Sequence, residues 1–215
     1  MINNIAELVG TLAAPPTFSH RSAGQVKSFN SVTNGCAGTD YYILPLEISR
    51  LSGATDIVNV IASKDVLSAC EIVPERSRIA VCGEVRTFNN KSGVGAKLII
   101  SVFAKTIELS DSEDKNYIEL KGILCKAPNP RRTPMGREIC DLMLAVNRRY
   151  GRSDYIPCIA WGRNAAAAAE FGVGDEVSLT GRLQSRKYTK VLDDGSCSEK
   201  IAFEVSIVEW TGDES

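Results

Sequence analysis

The chain repeats itself, and that repeat limits its fold more than any other feature. Asn4-x3-Leu8-x-Gly10-x-Leu12 returns 112 positions later as Asn116-x3-Leu120-x-Gly122-x-Leu124. Leu46-x-Ile48-x-Arg50-x2-Gly53-x2-Asp56 returns as Leu144-x-Val146-x-Arg148-x2-Gly151-x2-Asp154, now at an offset of 98. The offset of 98 persists from Val60-Ile61 to Cys158-Ile159. It holds again from Ile79-x-Val81-x-Gly83-x-Val85 to Val177-x-Leu179-x-Gly181-x-Leu183. An offset held over more than thirty residues marks two copies of one structural unit. The step from 112 to 98 places an insertion in the first copy, between its first two strands. Residues 13–40, with Pro15-Pro16, Gly24, Asn34-Gly35 and Gly38, have the turn-rich composition of such an insertion.

Apolar residues in each copy alternate with period two or form short runs, as strands do. Strands are expected near 3–13, 41–50, 56–62, 78–88 and 96–108, and again near 116–126, 138–148, 154–161, 176–188 and 199–210. Helices are expected near 64–72 and 163–171. The second, Arg163-Asn-Ala-Ala-Ala-Ala-Ala-Glu170-Phe171, is alanine-rich and loses little side-chain entropy on folding; Gly172 or Gly174 is placed to stop it. The acidic piece Ser110-Asp-Ser-Glu-Asp-Lys115 reads as a linker. It divides the chain into residues 1–112 and 113–215. The expected class is all-β, two tandem five-stranded Greek-key barrels with one helix each.

Net charge is −1, so any preference for nucleic acid must lie in how the charge is distributed. Between Lys121 and Arg152 eight basic residues meet two acidic ones, and Arg182–Lys190 holds four basic residues and no acid. Residues 1–112 hold ten of each sign. No apolar run approaches the ~20 residues of a membrane span, and no basic flank precedes an apolar core at the N-terminus; a cytoplasmic location is expected. Seven scattered cysteines without a C-x-x-C, and a single histidine, His20, imply no metal and no cofactor. The cysteines are expected to be reduced and to fill core positions. No nucleophile motif or paired acid is present, so an enzyme is not expected. Lys91-Ser-Gly-Val-Gly95-Ala-Lys97 lacks phosphate-loop spacing and reads as a hairpin turn.

Leu144-Ala-Val-Asn-Arg148, Ile159-Ala-Trp-Gly162 and Gly181-Arg-Leu-Gln-Ser-Arg-Lys-Tyr188 lie in the second copy. In combination they resemble the bacterial-type single-stranded DNA-binding protein (SSB) family, whose barrels are OB-folds. The resemblance implies base stacking on Tyr150, Tyr155, Trp161 and Tyr188. It implies phosphate contacts from Arg131, Arg132, Arg137, Arg148, Arg149, Arg152, Arg182, Arg186 and Lys187. Such a site needs cations for phosphates and flat rings for bases, because every base has a π-face. Tyr155 and Trp161 could instead be core residues. Alternation argues otherwise, since they share one strand face while Ile156, Cys158 and Ala160 share the other.

In the first copy the four aromatic positions are Ser52, Ile57, Ser63 and Asn90. The first copy is therefore expected to be mainly structural, a pairing partner for the second; a weaker site built on Phe88, Lys91 and Lys97 is the competing reading. Four OB domains commonly assemble in the resembled family, which implies a homodimer here. The sequence stops at Trp210-Thr-Gly-Asp-Glu-Ser215, where family members commonly continue into an acidic tail, so recruitment of partners through such a tail is not expected. The function implied is sequence-independent binding and protection of single-stranded DNA in replication, recombination or repair, with no small-molecule substrate. The alternatives are a PriB-like primosomal accessory protein, or an interaction scaffold whose aromatics anchor other proteins.

Overall fold

A computed structural model describes residues 3–22, 38–70, 76–90, 98–148, 151–191 and 197–212, without the side chains of 186–191 and 198–202. The first copy comprises β1 (Asn4–Leu12), β2 (Thr17–Arg21), β3 (Asp40–Ser49), β4 (Thr55–Ser63), α1 (Lys64–Ala69), β5 (Arg78–Asn89) and β6 (Leu98–Leu109). The second comprises β7 (Lys115–Leu124), β8 (Asn129–Arg132), β9 (Glu138–Asn147), β10 (Ser153–Trp161), α2 (Arg163–Ala169), β11 (Glu176–Val191) and β12 (Cys197–Trp210). Each copy is an OB-fold. The short strands β2 and β8, which period-two alternation does not announce, are added to the edges of β3 and β9. Their residues are mostly exposed, so edge pairing rather than burial makes them strands.

The sheet order is β2-β3-β4-β6-β5-β1-β7-β11-β12-β10-β9-β8, closed within each copy by β1–β3 and β7–β9. With each strand replaced by its counterpart in the other copy, the order reads the same from either end. The axis of this internal two-fold passes through the antiparallel β1–β7 pair. Its register runs from Asn4↔Leu120 to Val9↔Lys115, and the two-fold passes through Ala6↔Ile118, two equivalent positions.

The repeated motif residues now have physical reasons. Leu8, Leu12, Leu46, Ile79 and their counterparts Leu120, Leu124, Leu144 and Val177 are buried. A Cβ on Gly10 would lie 2.4 Å from the Glu47 carbonyl oxygen, and one on Gly122 2.6 Å from that of Ala145. Only glycine lets β1 and β7 press onto β3 and β9 where the barrels close. Asn4 donates to the Val85 carbonyl and accepts from its amide, both at 2.8 Å. Asn116 does the same to Leu183 at 2.7 and 2.9 Å. Gly53 and Gly151, at φ 80° and 71°, turn the β3–β4 and β9–β10 hairpins, and each turn brings the motif arginine back onto the motif aspartate.

The cysteine expectation holds in part. Cys70, Cys140 and Cys158 are buried, whereas Cys82 and Cys197 are exposed. Among the described residues no helix is long and apolar enough to cross a membrane. The expected hairpin turn at 91–97 lies outside the described residues.

Candidate nucleic-acid interface

Strand β10 sorts its side chains by parity. Ile156, Cys158 and Ala160 point into the barrel and are buried, Asp154 is buried at the seam with the first barrel, and Ile159, on the parity of the rings, is also buried. Tyr155, 53% exposed, and the half-buried Trp161 lie on the outer face, opposite Ala145 and Ile139 of β9. Six residues of extended strand separate the two rings by about 20 Å. Trp161 stands at the wall of an open groove of about 700 Å³ that it shares with Arg137, Arg182, Gln184, Ser185 and Arg50 and with one acid, Glu138. Arg50 belongs to the first barrel. Trp210, by contrast, has a structural role: its indole N–H donates to the Asn164 carbonyl at 3.3 Å and its ring meets Phe171 edge-on at 5.1 Å.

The expected phosphate ligands divide into several groups. Arg137 and Arg182 reach the groove. Arg131 pairs with Asp141, and Arg132 with Glu138 at 2.9 Å, on the exposed β8–β9 edge. Exposed pairs of this kind are weak enough to exchange a carboxylate for a phosphate. Arg152 is exposed at the β9–β10 turn, its carbonyl accepting from the Arg148 amide at 2.7 Å. Arg148 is placed elsewhere than its expected role requires. Its guanidinium holds buried Asp154 through two hydrogen bonds and reaches the Thr87 carbonyl of the first barrel at 3.2 Å. That commitment takes it out of the phosphate set. Arg186, Lys187 and Tyr188 lie on β11, with backbones paired to Ala202, Ile201 and Lys200, and their side chains are outside the described residues. Arg149 and Tyr150 are outside them entirely.

Asp154 lies between the two barrels. Burial pushes its carboxyl up. Hydrogen bonds from Arg148, the Thr87 amide at 2.7 Å and Arg86 at 3.1 Å outweigh that and hold it below the usual carboxylate range. Its counterpart Asp56 is gripped by Arg50 at 2.6 and 2.5 Å and accepts from the Ser185 amide of the second barrel at 3.2 Å. Each barrel thus lends one buried carboxylate to a backbone amide of the other. Arg182 has the opposite tendency: burial, then the nearby charge of Arg50, lowers its pKa, partly offset by Asp56.

The first barrel holds an aromatic row that motif matching missed. The His20 ring stacks on Tyr41 at 4.9 Å and 13°, and Tyr41 lies 5.4 Å from Phe103. Tyr41 is register-opposed to Ser63, which occupies the place of Trp161 and caps α1 by accepting from the Val66 amide. The ring has moved one strand across, from β4 to β3. The Tyr41-Tyr42 pair was the visible signal, but only cross-strand register shows that Tyr41 stands beside the vacated position.

Residues 115–207 match the Single-strand binding protein family. Over 80 residues the chain is 36% identical to single-stranded DNA-binding protein 2 of Listeria innocua, covering 34% of this chain and 50% of that one. It is 38% identical over 80 residues to single-stranded DNA-binding protein A of Bacillus subtilis, covering 34% and 46%. The chain thus spans about half the length of the curated relatives it matches. In fold it is similar to the wild-type single-stranded DNA-binding protein of Thermus aquaticus. The TM-score is 0.72 at 22% identity, over 97% of this chain and 91% of that one.

Proposed function

With a single-strand binding protein family domain at residues 115–207 as the premise, we propose that the chain binds and protects single-stranded DNA without reading its sequence. The DNA would be that exposed in replication, recombination or repair. The observation that carries this reading is the outward, same-face placement of Tyr155 and Trp161, with Arg137 and Arg182 in the groove beside Trp161. Rings stack on bases and guanidinium groups neutralise phosphates, so affinity falls with salt and tolerates any base. The protein supplies no chemistry to the strand. The second barrel, residues 113–215, carries the main surface, and the first, residues 1–112, holds it in place. Two chains pair to bring four barrels together, with a mass twice the 23.3 kDa of the chain.

The test is to titrate intrinsic tryptophan fluorescence with oligo-dT at two salt concentrations. Saturable quenching that weakens with salt is expected, and Trp210→Phe retains it because that ring is engaged by the Asn164 carbonyl and Phe171 rather than by the groove. No quenching up to tens of micromolar at low salt would leave the interaction-scaffold reading in its place. A second reading, in which the strand continues over the first barrel, is favoured by the His20–Tyr41–Phe103 row. Loss of affinity in Tyr41→Ala equal to that in Trp161→Ala would establish it.

A further inference from the structure

The two barrels turn the same corner differently, and the difference falls beside the groove. In the first, β4 ends at Ser63 and α1 begins at once with Lys64. Ser63 therefore has two tasks. Its backbone closes the strand, extended at φ −71° and ψ 157°, and its hydroxyl caps the helix by accepting from the Val66 amide at 3.2 Å. Only a short side chain carrying an acceptor does both. In the second barrel β10 ends at the equivalent Trp161, but α2 waits one residue and begins at Arg163. An indole has no acceptor oxygen and cannot cap. The cap has passed to Gly162, which stands where the first barrel has Lys64 and makes no side-chain hydrogen bond.

Gly162 can take that place because of its backbone. At φ 54° and ψ −123° it lies outside the three main regions open to L-residues, the left-handed one included. It is pinned on both sides. Its amide donates to the Glu138 carbonyl at 3.0 Å, at the start of β9, and its carbonyl accepts from the Ala165 and Ala166 amides at 2.9 and 3.1 Å. A Cβ there would meet nothing within 4 Å. The demand for glycine is thus one of conformation and not of space. Its effect is felt by the neighbour: Trp161 keeps its strand pairing to Ile139 and lines the groove.

We infer that Gly162 is a positioning residue for the strand-binding site. Its glycine-only turn takes over the capping of α2, which releases position 161 to carry a ring and holds that ring at the groove wall. This rests on the single-strand-binding reading of residues 113–215 and adds to it a residue that acts through its neighbour. It also accounts for the first barrel, where the capping serine holds the position and the ring stands across from it on β3, as Tyr41.

The experiment uses the full chain and has two arms. The first needs no DNA. Gly162→Ala is made in wild type and in Trp161→Ser, and each protein is unfolded in urea. Trp161→Ser supplies the side-chain cap of the first barrel, so the helix can begin one residue earlier and position 162 can become helical. The loss of stability from Gly162→Ala is expected to be large in wild type and small in Trp161→Ser, a coupling that a double-mutant cycle reads directly. If Gly162→Ala does not fold in wild type, its folding in Trp161→Ser gives the same answer. Equal losses in the two backgrounds, or failure to fold in both, overturn the inference.

In the second arm Trp210→Phe leaves Trp161 as the sole tryptophan. Its emission and its oligo-dT binding are followed in Gly162→Ala and in a control, Gly174→Ala. Gly174 also has a positive φ, 99°, and open space around it, but lies beyond the other end of α2. The control is expected to lose stability and to keep its emission maximum and affinity. Gly162→Ala is expected to shift the emission maximum and to weaken oligo-dT binding at least about fivefold, the lower bound for one lost stack. Unchanged emission or unchanged affinity in Gly162→Ala, or equal changes in Gly174→Ala, overturn the inference and leave the single-strand reading intact. If Trp210→Phe and wild type both fail to bind oligo-dT, the single-strand reading falls, and the emission shift and the coupling then decide by themselves whether Gly162 places the ring.

Discussion

At the scale of single residues, alternation along β10 sets Tyr155 and Trp161 on the face opposite Ile156, Cys158 and Ala160, with Ile159 between the two rings buried as well. Truncating a stacking ring removes about 1–3 kcal/mol per base. Trp161→Ala and Tyr155→Ala are therefore each expected to weaken oligo-dT binding by about 5- to 150-fold, read as a shift in the titration midpoint. Phe88→Ala is expected to leave that midpoint in place, since its ring lies 5.9 Å from the Arg148 guanidinium, within the seam. Asp154 carries a different prediction. Its native pKa lies below the value of about 3.9 for an unfolded aspartate, so its contribution to stability is complete above that pH. The contribution is lost as pH falls through the lowered native value. Asp154→Asn should cost about 3–5 kcal/mol at neutral pH by leaving Arg148 without its carboxylate and Arg86 with Glu84 alone. It should also flatten the stability profile below pH 4, as urea unfolding across that range will show.

At the scale of elements, strand and helix positions were legible within a few residues because apolar period, turn glycines and an alanine run act locally. What alternation could not announce were β2 and β8, whose mostly exposed residues become strands only by joining an edge. The repeated Asn4 and Asn116 read as motif positions without a role until their partners were known. Each satisfies both backbone groups of one residue on β5 or β11. Asn4→Ala and Asn116→Ala should each destabilise the protein by about 1–3 kcal/mol per group left unpaired, measured by chemical denaturation. Asn4→Asp should not restore the loss, because a carboxylate accepts the Val85 amide bond but cannot donate to its carbonyl.

At the scale of the whole molecule, β1 and β7 join the two barrels into one twelve-stranded sheet. Residues 113–215 alone would expose the edge of β7 and leave Asp154 without the Thr87 amide and Arg86. Because the two-fold passes through equivalent positions of the β1–β7 pair, an isolated second barrel is expected to pair β7 with itself about Ile118. Sedimentation should find it as a dimer, and substituting proline at Glu119 should return it to a monomer. A well-folded monomer without that substitution would show that the seam contributes little.

Two copies of one barrel, their strand boundaries and the outward face of Tyr155 and Trp161 follow from the sequence alone, since hydrophobic period and turn chemistry depend on near neighbours. The assignment of arginines does not. Arg148 and Arg182 look alike in composition and in their closeness to the stacking rings, yet one is closed around a buried carboxylate and the other faces the groove. The difference arises at seams between residues far apart in the chain, such as the Ser185 amide and Asp56, 129 positions away. A charge is partnered by whatever the fold brings within a few ångströms, so only the tertiary structure decides which cations remain available.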